Sequence, residues 1–382
     1  MKKICIISQR YPCKETPSVH VFVQKLAWAM ADQGVEVMVI SPVPVWSLKM
    51  RSVPEVYEER TSSGNPLKVY RPRFLYAGEK KIGPIRLSHI SADTMTKVCA
   101  ATVRKYQLNP DAFYGHFICV AGICACRLGK MFHKSSFIAY GESTDWSVNN
   151  FGLEQVRKET AICNGFVAVS SSNKKRLVEH KIASDAKVGV FVNAVNPDVF
   201  YPRDKKEARK KYKLPDDAFI VSYVGQFTER KGITRLIKAV DQCTEVKVIC
   251  AGTGKQVPDS KNVLFCERIA PQEVPEFLCA SDVFVLPTQN EGCSNAVLEA
   301  VACGLPVVSS DRDFNLDILD TGHAVLINPD SVKEIAEAIT FLHENADCRK
   351  KMSEYAVQKA ACFTLQERAR KILAWMDDAE SF

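Results

Sequence analysis

Two glutamates stand eight positions apart in the stretch NEGCSNAVLEAVACGLPVVSSD, residues 290–311: Glu291 and Glu299. The spacing predicts that Glu291 lies in a loop after a strand ending at Pro287. A helix then starts at Asn295, carries Glu299 about one turn in, and stops near Gly304. A carboxylate is a poor phosphate ligand but a strong acceptor for paired hydroxyls. The backbone N–H groups of Gly292, Cys293, Ser294 and Asn295, at a helix start, suit a phosphate or a sugar hydroxyl. Together they fit a ligand with both, such as a nucleotide sugar. Either glutamate alone reads better as a first-turn acid or a solvent-facing side chain.

A second stretch, Gly225-Gln226-Phe227-Thr228-Glu229-Arg230-Lys231-Gly232, joins a strand to a helix and places two cations side by side. Arg230 and Lys231 at a helix mouth suit a phosphate, because dipole and charge act together. By itself this is also an ordinary charged loop. Gly252-Thr253-Gly254 is a further glycine turn after a strand. It is too short for a dinucleotide fingerprint, and no G-x-G-x-x-G follows the first strand, which argues against a nicotinamide enzyme.

The elements that must hold these loops are legible as alternation. In the first half, apolar runs at Lys3–Ser8, Val35–Ser41, Ala112–Gly115, Phe137–Gly141, Phe166–Ser170 and Lys187–Phe191 read as buried strands. Helical spacing lies between them at 20–33, 92–106 and 122–132. A turn-rich, charged break follows at 193–213, and the pattern restarts with strands at 219–225, 246–251, 263–266, 283–287 and 306–310. Strands alternating with helices predict an α/β fold with parallel sheets wound on both faces, here in two similar domains, with ligands at the C-terminal ends of the strands.

At 382 residues, with 46% hydrophobic and 25% charged residues, the chain suits two globular domains. No run reaches the roughly 18–20 apolar residues of a membrane span. The short apolar run after Lys2-Lys3 reads as a strand, not a signal sequence, so a cytoplasmic location is expected. The fifteen cysteines show no paired metal-ligand spacing and read as small buried hydrophobes; no metal is expected. Residues 1–190 carry 27 Lys+Arg and 15 Asp+Glu, a balance of +12, and the remainder carries 24 and 29, a balance of −5. A basic half suits an anionic partner or simply a solvated surface, and no nucleic-acid motif accompanies it.

Glu291 and Glu299 with seven residues between, Gly304-Leu305-Pro306-Val307, and the Gly225…Lys231-Gly232 loop resemble the retaining nucleotide-sugar glycosyltransferases of family 4. That family has the GT-B fold, two Rossmann-like domains facing a cleft. The resemblance covers nearly the whole chain, including Ser8-Gln9-Arg10-Tyr11-Pro12 and the segment from Val192 to Phe200. It implies an acceptor domain over 1–195, a nucleotide-sugar domain over 196–362, and a C-terminal helix, 363–382, crossing back to the first domain. It also implies that Glu299 holds the donor ribose and Glu291 faces the donor sugar. Lys231 with Arg230 neutralises the diphosphate, and His116 lies near the reacting sugar. Gly225, Gln226, Gly252, Gly254, Arg268 and Ile269 fall on its donor-binding segments. No cofactor or metal is implied; the partners are a nucleotide sugar and a saccharide acceptor, lipid-linked by expectation, with peripheral membrane contact. Three positions depart from the family pattern. Gln226 replaces an arginine, Tyr140-Gly141-Glu142-Ser143 lacks a histidine, and Cys293-Ser294-Asn295 replaces Phe-Gly-Leu. The basic loop 71–86, with five cations and one acid, is the expected membrane and acceptor element. A sugar-nucleotide epimerase of the same fold and a non-catalytic binding protein are the competing readings.

Overall fold

The structure, a computed structural model, describes residues 1–379 and divides into two compact units. Unit 1 comprises Met1–Phe191 with the C-terminal segment from Leu365; unit 2 comprises Val192–Thr364.

Unit 1 is built on an eight-stranded sheet. In spatial order its strands are Val188–Val190, Gly165–Ala168, Ser135–Tyr140, Ala112–His116, Lys3–Ile7, Glu36–Ile40, Pro66–Tyr70 and Val56–Arg60. All pairings are parallel except the last, between Val56–Arg60 and Pro66–Tyr70. Alternate residues of the first strand enter two separate cores. Ile4 and Ile6 join Val23, Leu26, Ala369 and Ile372 on one face, and Cys5 and Ile7 join Ala92, Met95 and Cys99 on the other. A parallel strand buried on both faces explains its unbroken apolar run. The helix Leu365–Ala379 packs into unit 1 through Ala369, Ile372, Met376 and Ala379. Its Trp375 lies so close over Gly165 and Gly189 that a Cβ there would sit 2.4 Å and 2.9 Å from the indole ring.

Unit 2 is a six-stranded parallel sheet in the order Val263–Glu267, Val246–Ala251, Phe219–Val224, Val283–Leu286, Val307–Ser310, Ala324–Ile327. The chain moves outward in one direction from Phe219–Val224 and then returns to its other side with Val283–Leu286. The loops that leave these two adjacent central strands, 225–232 and 287–294, therefore emerge at the topological switch point, where open α/β sheets bind ligands.

The fifteen cysteines are free thiols, and nine are buried. Among the described residues no helix is long and apolar enough to cross a membrane.

Candidate functional site

Unit 2 brings the two loops together. Lys231 Nζ forms an ion pair with Glu291 Oε1, and Arg230 Nη1 lies 3.5 Å from the same oxygen. The Lys231 and Glu291 side chains are only 15% and 11% exposed, so the pair is desolvated enough for its charges to matter. Around it the loops are stitched tightly. Gln289 N donates to Arg230 O at 2.8 Å, Thr288 Oγ1 donates to Glu291 Oε1 at 3.1 Å, and Arg230 donates to Asn290 O. Ser310, at the end of the neighbouring strand, donates to Thr288 O.

Glycines make this approach possible. Gly232 has φ 79, and a Cβ there would lie 2.3 Å from Pro287 O. Only a residue without a Cβ fits this left-handed position. Arg235 then anchors the following helix by donating to Pro329 O at 2.7 Å and Pro287 O at 3.2 Å while pairing with Glu229. On the other side, Gly225 O would be 1.9 Å from a Cβ on Gly252, and Phe227 O would be 2.2 Å from one on Gly254. Phe227 N donates to Thr253 O at 2.8 Å. Gly252 and Gly254 thus let two loop backbones touch. Gln226 turns its side chain to solvent, and its carbonyl accepts from Tyr223 Oη at 2.7 Å.

The helix after Glu291 runs Asn295–Ala302. Gly292 is buried and Cys293 half-buried ahead of it. Ser294 is its N-cap, its hydroxyl accepting from Val297 N, so this side chain serves the helix. Asn193 was not singled out from the sequence as a site residue. Its Nδ2 donates to Asn295 Oδ1 at 2.9 Å and reaches Cys293 O at 3.4 Å. Glu299 sits one turn into the helix and is half-buried. Arg268 is exposed and Ile269 half-buried just beyond the strand Val263–Glu267, two strands from the ion pair. Thr288, Arg235 and Ser310 also went unnoticed in the sequence, because lone polar residues between apolar runs carry no spacing signal.

His116 belongs to unit 1, where it ends the strand Ala112–His116. Burial, then the Arg368 and His20 charges, hold its imidazole down at about 3. The departure at Tyr140-Gly141-Glu142 has a structural meaning. The Glu142 carboxylate accepts from Ile118 N at 3.2 Å and Gly141 N at 3.1 Å, tying the loop after His116 to the neighbouring strand. The residue is half-buried. Burial pushes its carboxyl from 4.5 up to about 7, against the backbone donors and Arg176. Between those values the folded chain holds a proton that the unfolded chain has lost. Stability therefore falls as pH rises through that window. Melting curves across it should show this slope, and Glu142→Gln should flatten it; an identical slope in the variant would contradict the assignment.

The basic loop 71–86 is less free than its composition predicts. Arg71 is buried and donates to Tyr11 O at 3.0 Å, Pro12 O at 2.7 Å and Tyr57 Oη at 3.0 Å. Arg73 donates to Met50 O at 2.7 Å, and Arg86 donates to Asn149 O at 2.8 Å and Asn150 O at 2.7 Å. Three of the five cations thus hold main-chain carbonyls. Lys80 and Lys81 remain at the hairpin Lys81–Ile82/Ile85–Arg86, whose Ile82 and Ile85 are 62% and 56% exposed.

Residues 204–359 match the family described as glycosyl transferases group 1. The chain is 28% identical over 367 residues, 90% of each chain, to a Bacillus subtilis (strain 168) protein named "Putative teichuronic acid biosynthesis glycosyltransferase TuaC". It is 26% identical over 204 residues, about half of each chain, to the alpha-galactosylglucosyldiacylglycerol synthase of Streptococcus pneumoniae (strain ATCC BAA-255 / R6). In fold it resembles sucrose-phosphate synthase from Thermosynechococcus elongatus, with TM-score 0.76 and 18% identity over the whole of both chains. It also resembles Anabaena Alr3699/HepE solved with UDP, with TM-score 0.73, 14% identity, and 99% and 100% coverage. The ion-paired loops at the switch point of unit 2 thus lie inside the stretch that carries the group 1 signature, and the chain is a glycosyltransferase of the GT-B fold.

Proposed function

We propose that the protein is a retaining transferase that moves a sugar from a nucleotide-diphosphate sugar to a saccharide acceptor during glycan biosynthesis, without a metal. The observation that carries this reading is the Lys231–Glu291 pair at the switch point, flanked by Arg230. A cation poised on a carboxylate can transfer its hydrogen bonds to a diphosphate. The released carboxylate then faces a sugar hydroxyl. In the reaction the bond from the anomeric carbon to the diphosphate oxygen breaks. A bond from the same carbon to the acceptor oxygen forms on the same face, and the acceptor proton passes to the departing phosphate. No protein nucleophile is needed, and stabilising the leaving charge is the main catalytic contribution of this chain. Glu299 holds the ribose hydroxyls. The UDP bound in Alr3699/HepE supports a nucleotide donor, and the names of the Bacillus and Streptococcus relatives support a glycan or glycolipid product.

Thermal stability with UDP, GDP and ADP, with and without magnesium, tests this. A nucleotide at about 100 times its dissociation constant stabilises the native state by roughly 2.7 kcal/mol. The expected result is a shift with one nucleotide, independent of magnesium and lost in Glu299→Ala. A shift fully retained in that variant would remove Glu299 from the donor site.

A lipid-linked acceptor at an anionic membrane completes the proposal. The exposed Ile82 and Ile85 at the tip of the hairpin, beside Lys80 and Lys81, suit shallow insertion with charge attraction. Co-sedimentation with anionic vesicles should fall in Lys80→Glu/Lys81→Glu. Equal and negligible binding to anionic and neutral vesicles by the unmodified protein would remove membrane contact.

A further inference from the structure

Unit 2 carries a second concave site, at the other end of its sheet from the ion-paired loops. Ser281 and Asp282 precede the strand Val283–Leu286, Leu305 and Pro306 precede the parallel strand Val307–Ser310, and all four line a cavity of about 320 Å³. These are N-terminal ends of strands, whereas the loops 225–232 and 287–294 leave C-terminal ends. The segment before the helix Lys205–Lys211 and the start of the helix Ala346–Ala360 complete the wall.

Charge on this wall is one-sided. It holds four cations, Arg203, Lys205, Arg349 and Lys350, against one carboxylate, Asp282. That carboxylate is already engaged. Its Oδ1 pairs with Lys205 at 2.6 Å, and its Oδ2 pairs with the buried Arg209 at 2.8 Å and accepts from Ile220 N at 2.8 Å. Among the described residues Arg203, Arg349 and Lys350 form no ion pair. Two of these three are held in place. Arg349 donates to Leu342 O and, at 2.8 Å, to His343 O, and its guanidinium lies 5.0 Å from the centre of the Phe219 ring. Arg203 donates to Val199 O at 3.0 Å and lies 4.8 Å from the Tyr201 ring, while its Nε is buried and meets no partner. Like charges around a concave wall repel one another and focus a positive field into it. Carbonyls and rings keep these guanidiniums from swinging apart. A counter-charge in the cavity relieves the repulsion with little further loss of side-chain entropy.

The same features select the ligand. The volume is that of a small-molecule site. A carboxylate brings one charge, whereas a phosphate monoester brings about −1.5 to −2 at pH 7, nearer to the three uncompensated cations. Planar guanidinium forks also match phosphate oxygens in pairs. Cys279 and Cys303, each 4% exposed, and Leu305 leave the rest of the wall uncharged, which suits the body of a small metabolite.

We infer that this cavity binds a phosphate-bearing small molecule at a site separate from the donor loops. The inference stands without the transferase reading. An occupant would abut the far end of the helix that carries Glu299. Cys303 and Gly304, on the wall, follow the helix Asn295–Ala302, and Cys303 N donates to Glu299 O at 3.0 Å.

Thermal melting of the full chain in inorganic phosphate tests it, with ionic strength held constant by sodium chloride. The expected result is a saturable rise in melting temperature. Its dissociation constant should be roughly 10-fold larger in Arg203→Gln/Lys350→Gln, the loss of about one charge-assisted contact, and unchanged in Arg230→Gln. Lys350 is exposed, so Lys350→Gln alone reads the site should Arg203→Gln unfold the chain; a smaller loss in the same direction is expected. Sodium acetate at the same ionic strength is the control. Equal stabilisation by acetate, or no rise beyond that in chloride, would overturn the site. A phosphate response that survives the cavity substitutions and disappears in Arg230→Gln would place the anion at the donor loops instead.

Discussion

Lys231→Ala should lower kcat by roughly 10²–10³ while changing nucleotide affinity far less, since one donor aimed at developing charge contributes about that factor. In the unliganded protein the ammonium is spent on Glu291, so its attraction to a bound diphosphate is partly offset by the loss of that partner. The offset shrinks as the sugar–phosphate bond breaks and charge accumulates on the leaving oxygen. Lys231 therefore acts more on the transition state than on the ground state, which places the effect in kcat rather than KM. The variant also strands the Glu291 carboxylate, 11% exposed, with Arg230 at 3.5 Å and Thr288 at 3.1 Å. Some stability loss is expected from that, and Lys231→Ala/Glu291→Gln should recover the melting temperature without recovering turnover. Steady-state kinetics with the nucleotide sugar chosen by the melting experiments separates the two. A Lys231→Ala enzyme with kcat within a few-fold of the unmodified protein would take the lysine out of the chemistry. A double variant that regains turnover would mean that the ion pair is structural.

The sequence carried the parts of this site that depend on spacing. Glu291, Glu299, Arg230 and Lys231 stand out because a loop–helix boundary can be read from apolar periodicity, glycine and proline. The buried parallel strands were legible for the same reason: the Ile4–Ile7 run is apolar on both faces because both faces are covered. The strand Val56–Arg60 was not, because it is an antiparallel edge strand with no fully buried residue and reads as charged loop. The end of unit 2 was also missed: the strand Ala324–Ile327 has only its two end residues buried, and in the helix Ala346–Ala360 only Met352 and Ala356 are buried. Tertiary contacts supply what such segments lack in pattern. The arginines of the 71–86 loop show the converse limit, since composition counts charges but not the carbonyls that occupy them.

Gly252→Ala should be among the most damaging single-methyl changes in unit 2, costing about 3 kcal/mol or more and abolishing the nucleotide-induced rise in melting temperature. A Cβ there would lie 1.9 Å from Gly225 O, 2.9 Å from the Phe227 ring and 3.0 Å from Gly225 C. The nearest obstacle is backbone, which cannot swing aside as a side-chain end can, so the cost should reach or exceed the usual 1–3 kcal/mol of overpacking. Relief requires the loop after Val224 to move away from the loop after Ala251. That would break the Gly225 N–Ala251 O bond of 3.0 Å and the Phe227 N–Thr253 O bond of 2.8 Å. Arg230 and Lys231 ride on the same loop, so displacement at Gly225 is passed on, a few residues later, to the cations proposed to meet the diphosphate. Gly225→Ala is the control. Its Cβ would meet the Tyr223 hydroxyl at 3.3 Å, a tight contact with a side chain rather than a collision with backbone, and the expected loss is correspondingly smaller. Melting of both variants with and without nucleotide checks the ordering. If Gly252→Ala melts like the unmodified protein and still responds to nucleotide, the close loop contact does not position the cations. If both glycine variants lose the same stability, the damage comes from chain entropy or propensity rather than from the backbone collision.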